Sequence, residues 1–235
     1  MLTTVNLTKF GLHLSFRGLI FPPKNILTRI KINYVKQSIK GMTSNVADDT
    51  TRPPRRMLRD AMPAELFGVI PQLADLVKLR PRPEEDGLGF LARLRASTTP
   101  EEAVTYTAFA ALPGAATGWG YECLRLMADH LQPQERQMMQ HIATWLAEPT
   151  TRQRHDIMRE ALWAPTRSPS VLLALAVGWS SGGPAPNDPE RSPVHKTPVA
   201  LNSAVLSCLA RAQLSRRSYY LARFLDMAEA LFRAY

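Results

Sequence analysis

The chain has 235 residues, 45% of them hydrophobic and 21% charged, with a formal net charge of +9. That mix is ordinary for a globular protein and excludes a low-complexity or fibrous chain. The charge does not make the whole chain a nucleic-acid binder, because it is concentrated at one end.

Residues 1–41 hold Lys9, Arg17, Lys24, Arg29, Lys31, Lys36 and Lys40 and no acid. The rest of the chain keeps 22 of the 29 basic residues against 20 acidic ones, a net of +2. A basic stripe on a nucleic-acid-binding body is therefore not expected. The nearest candidate is the short cluster Arg52, Arg55, Arg56 and Arg59 beside Pro53-Pro54. The apolar stretches of residues 1–41 are interrupted by Lys9, Arg17 and Pro22, and no small-residue cleavage site follows, so the pattern is not a secretory signal. We read residues 1–41 as an over-extended start ahead of Met42, and residues 1–56 as a disordered basic segment. Residues 57–235 are expected to form a single helical domain.

From residue 57 onward the chain predicts helix after helix. "PAELFGVIPQLADLVKL" reads as helical with a break at Pro71, and "EEDGLGFLARLRA" as a shorter helix weakened by glycine. In "TTPEEAVTYTAFAAL", Thr99 is the expected N-cap, Pro100 takes the first turn and Glu102 completes a capping box. Leu112-Pro113-Gly114 ends that helix, and "GWGYECLRLMADHL" follows with Tyr121, Leu124, Ala128 and Leu131 on one face.

Gln132-Pro133 starts the next helix, with Met138, Ile142, Trp145 and Leu146 in register, and Pro149 stops it. Thr150 and Gln153 cap "TTRQRHDIMREALW", whose apolar face is Ile157, Ala161 and Leu162. Arg152, Arg154, Asp156 and Glu160 are expected in water, and His155 with them. Ser168-Pro169 opens "SPSVLLALAVGW", apolar on most sides and so expected at the centre. Thr197-Pro198 begins a helix with Leu201, Val205, Cys208, Leu209 and Ala212 inward, and Ser215 caps the last helix. There Tyr220, Phe224, Ala228 and Phe232 share a face. The connections are short, so the expected fold is an all-α antiparallel bundle of about seven to nine helices. Starts near residues 99, 133 and 168 are about 34 apart, which keeps a short α-solenoid as the alternative.

Few polar constellations converge. The adjacent acids Glu84-Glu85-Asp86 and Glu101-Glu102 suit helix N-termini. His130, His141, His155 and His195 lack metal-ligand spacing, and Cys123 and Cys208 sit in apolar helical patterns without a CxxC partner. Unpaired thiols suit a reducing cytosol, though spacing alone does not exclude a disulfide between them. Trp119, Trp145, Trp163 and Trp179 fall near helix ends or on apolar faces and are read as packing, some of them as groove lining. No catalytic residue, metal ligand or cofactor site is assigned, and the most apolar run, "VLLALAVGW", is too short to span a membrane.

The connection at residues 182–197 stands out. "GWSSG" matches G-x-S-x-G in letters through Gly178, Ser180 and Gly182, but no strand precedes it, so a nucleophile elbow is disfavoured. The better reading is a helix stop in which Gly182 or Gly183 turns left-handed, followed by a stiff segment rich in proline. Trp179, Ser181, Gly182, Gly183, Pro184, Pro186 and His195 are the candidate partner-binding residues.

The apolar helix ending "GWSSGGPAP", the loop with His195, and "TPVALNSAVLSCLA" resemble an uncharacterised family of bacterial all-α proteins. "EEAVTYTAFAALPGAATGWGYECLRL" and "TWLAEPTTRQR" carry the same resemblance, which spans roughly residues 97–233. The chain departs from it in "PERSPVHKTP", where the family has a nearly uninterrupted proline run. The resemblance implies a domain of unknown function found near type VI secretion genes, with no catalytic residue to carry over. The expectation is thus a non-enzymatic, cytoplasmic interaction module, possible accessory or adaptor of secretion, with a protein partner and with self-association left open. One alternative is an enzyme or ligand-binding bundle with an inter-helical site near His141, Trp145 and Cys123. Another is nucleic-acid binding through the basic N-terminus.

Overall fold

The computed structural model describes residues 57–59, 62–188 and 190–233. The expectations for residues 1–56, including a start at Met42 and the cluster Arg52, Arg55 and Arg56, lie outside the described residues. Ten α-helices are described, with no strand among them, so the all-α class stands. They are α1 (Pro63–Val69), α2 (Pro71–Leu76), α3 (Gly87–Arg95), α4 (Glu101–Ala110) and α5 (Pro113–Leu126), then α6 (Pro133–Ala147), α7 (Thr151–Trp163), α8 (Pro169–Trp179), α9 (Lys196–Ala210) and α10 (Leu214–Arg233). The count exceeds the expected seven to nine because prolines restart the chain. Pro71 and Pro113 each open a new helix at the first turn, where a missing N–H costs nothing.

The helices that are apolar on most sides lie in the middle. Every residue of α4 from Ala103 to Ala110 is buried, and in α8 so is nearly every one from Pro169 to Gly178. Around them α9 packs on α8, α4 and α5, while α10 packs on α3, α4 and α5. Apart from α8 and α9, which follow one another, these partners are far apart in sequence, whereas a solenoid joins mainly sequence neighbours. Polar groups tie the core where helices cross. Thr105 Oγ1 donates to Asn202 Oδ1 at 3.1 Å between α4 and α9, and Trp119 Nε1 donates to the Phe224 carbonyl at 3.1 Å between α5 and α10. Leu58 forms an antiparallel bridge with Ala111, securing the short described segment before α1. Arg59, the described member of the basic cluster, donates its N–H to the Ala110 carbonyl at 2.8 Å.

Several caps differ from expectation. Glu102 does not close a box on Thr99; its Oε2 accepts from the N–H groups of Lys78 and Leu79, at 3.0 and 3.3 Å. Its other oxygen accepts from the Thr99 hydroxyl at 3.1 Å. Ser215 lies inside α10, which already begins at Leu214. Thr150 does cap α7, accepting from the Gln153 N–H at 3.2 Å. Both cysteines are buried and free. Among the described residues no helix is long and apolar enough to cross a membrane.

Candidate functional site: the turn after the central helix

The loop that leaves α8 is built on a residue expected in water. Arg154 is only 3% exposed. It stands one helical turn before Ile157 and Met158 and two before Ala161, on the same inward stripe of α7. Its Nη1 donates to the Gly178 carbonyl in the last turn of α8. Its Nη2 donates to the Gly183 carbonyl at 3.0 Å and meets His155 Nε2 at 2.8 Å. No carboxylate pairs with it among the described residues, and burial lowers its pKa from the ordinary guanidinium value. The carbonyls at the negative end of α8 compensate the charge instead.

The turn itself follows the expected helix stop. Ser180, the C-cap of α8, keeps helical backbone angles, and its hydroxyl donates to the Val177 carbonyl at 2.7 Å, as a capping group. Gly182 has φ +62°, the left-handed value that glycine adopts at least cost. Gly183 is required for a different reason: a Cβ there would run into the Asp188 carbonyl oxygen, so the two arms of the loop touch. Ser192 N–H donates across the loop to the Gly182 carbonyl at 3.3 Å, and the Asp188 carboxylate accepts from the Glu190 N–H at 2.9 Å.

On this frame Ser181, Gly182 and Pro186 are exposed, while Trp179, Gly183 and Pro184 are half-buried. The Lys196 ammonium lies 5.5 Å from the centre of the Trp179 ring, bringing the two ends of the loop together. His195 is half-buried at the other end; its carbonyl accepts the first N–H bond of α9, from Val199, at 3.0 Å. The sequence reading placed the loop residues but missed Arg154 and His155, which hold them. The signal available was the position of Arg154 in register with Ile157, Met158 and Ala161.

A second feature lies along the adjoining flank of α7. A groove of about 480 Å³ runs between α6 and α7, with His141 and Thr144 on one wall and Asp156, Ile157, Glu160 and Trp163 on the other. His141 Nδ1 lies 2.7 Å from Glu160 Oε2. Of the residues expected for an inter-helical site, only His141 lines this groove: Trp145 is 6% exposed and Cys123 is fully enclosed in the core. Trp163, expected to pack, is 85% exposed, and neighbouring Leu162 is 50% exposed. No group of three or more His, Cys, Asp or Glu side chains able to hold a metal occurs among the described residues.

Comparison with curated proteins and with solved structures finds no match. A family match covers residues 90–232, from within α3 to near the end of α10, and so includes the Arg154-pinned turn and the groove. The chain belongs to the family of unknown function DUF6931.

Proposed function

We propose that this protein is a non-enzymatic helical interaction module that docks a protein partner on the loop between α8 and α9. The observation that carries the reading is the anchoring of an exposed turn by a buried side chain. Arg154 holds the carbonyls of Gly178 and Gly183 on both sides of the turn, which leaves Ser181 and Gly182 exposed on it and Pro186 exposed just beyond it. A partner meeting such a loop does not have to order it, which lowers the entropic cost of binding. On the strength of the sequence resemblance we take a bacterial secretion apparatus as the setting, with this chain as an accessory or adaptor.

The test is photo-crosslinking from Pro186 in the full chain, in lysate of the native cells, with the crosslinker at exposed Arg152 as a control. A partner captured from Pro186, and lost when residues 184–192 are exchanged for a Gly/Ser segment of equal length, supports the reading. An unchanged set of partners after the exchange, with helicity intact by circular dichroism, overturns it.

A further inference from the structure

The α6–α7 groove carries an unusual pairing of an open carboxylate and an open indole. Glu160 and Trp163 are three residues apart on α7, so they are neighbours on one face of the helix, with Cβ atoms about 5–6 Å apart. Both face the groove. Glu160 Oε2 is engaged by His141 at 2.7 Å, while its Oε1 accepts no hydrogen bond from any described residue. Trp163 is the last residue of α7 and 85% exposed.

The other acid and the guanidinium that line the groove, Asp156 and Arg159, pair with each other at 2.7 Å, and Arg152 lies 4.0 Å from Asp156. That leaves Glu160 as the acid with an unused acceptor, next to a π face. An acceptor and an aromatic face at this spacing fit a planar cation better than an anion or a neutral group. A guanidinium can lay its plane on the indole and direct an edge N–H to a carboxylate at once, which a compact ammonium does less well. We propose that Glu160 and Trp163 form a receptor for an arginine side chain of a partner protein, seated in the α6–α7 groove. The site is separate from the α8–α9 loop and stands or falls independently of it.

The probe is a blocked Gly-Arg-Gly tripeptide, titrated into the full chain. The readout is the Trp163 indole N–H resonance, assigned by its disappearance in Trp163→Phe. A saturable shift is expected at millimolar peptide, with at least tenfold weaker binding to Glu160→Gln. The isosteric citrulline peptide should produce no saturable shift. Both side chains are substantially exposed, so these variants keep the fold, which thermal melts verify. An equal response to citrulline overturns the proposal, because charge is then not what is read. So does undiminished binding to Glu160→Gln, or the absence of any saturable shift at tens of millimolar.

Discussion

Arg154 on α7 donates to the Gly183 carbonyl, 29 residues later in the chain and beyond the end of α8, at 3.0 Å. The same guanidinium holds Gly178 inside that helix. One buried side chain thus fixes both the end of α8 and the turn that follows it. Arg154→Ala removes the donor from two carbonyls and leaves a void where the side chain was. The expected loss is about 2–4 kcal/mol, the range for breaking a buried charged network. Arg154→Lys should recover only part of it, since one ammonium cannot reproduce the fork that spans Gly178 and Gly183. Urea denaturation measures the loss. Limited proteolysis should show cleavage in residues 181–194 first in Arg154→Ala; equal protection in wild type and variant would sink the pinning argument.

The two glycines of the turn should fail differently. Gly182→Ala meets a backbone penalty, because φ +62° is unfavourable with a Cβ, by about 1–2 kcal/mol. Its new methyl would lie 3.3 Å from Arg154 Nη2, tight but adjustable. Gly183→Ala instead drives a methyl into the Asp188 carbonyl, and backbone cannot move aside as a side-chain tip does. Its loop must open, so Gly183→Ala is expected to be cleaved faster than Gly182→Ala. The reverse order would mean that the arms of the loop do not need their contact.

Local signals in the sequence identify most helices here because they act within a few residues. Thr150 and Gln153 meet as their spacing implies, and Pro133 and Pro169 open helices where proline costs least. The left-handed turn after Trp179 was legible for the same reason. Tertiary competition accounts for the failures. Glu102 has the spacing of a capping box, yet it satisfies Lys78 and Leu79, more than 20 residues away. Arg154 carries a charge, which argues for water, and a stripe position, which argues for the core. The orphan carbonyls at the end of α8 decide for the core, and a reading confined to α7 has no sight of them. Trp163 fails the other way: it continues an apolar pattern at the very end of α7, where it is left standing in solvent.

Alkaline pH should destabilise the fold through groups buried in its centre. Burial pushes the Cys208 thiol from an ordinary 9.0 to about 12, and Cys123 well above 9.0. Tyr121 rises from 10.0 to about 12, again chiefly by burial. In the unfolded chain these groups lose protons at their ordinary values, whereas the folded chain still holds them. The unfolded state then binds fewer protons, so stability falls as pH climbs from about 9 to about 12, and is unaffected by these groups below that window. Urea midpoints across this range should fall, with a shallower slope in Cys208→Ala. The native thiols should also resist a disulfide reagent at neutral pH and react once urea unfolds the chain, since the thiolate is the reactive form. Rapid labelling of the folded protein would contradict their burial.

Two tryptophans separate core from surface in one experiment. Trp119 is 1% exposed, and its indole N–H reaches the Phe224 carbonyl of α10. Trp119→Phe removes that donor and part of a ring that fills the α5–α10 contact. The lost hydrogen bond and the small cavity together should cost about 2–3 kcal/mol. Trp163→Phe changes a side chain that meets mostly solvent and should stay within about 0.5 kcal/mol of wild type. Urea midpoints of both variants decide the matter. A large loss in Trp163→Phe would show that its indole is packed in solution, and would close the groove to the arginine proposed for it.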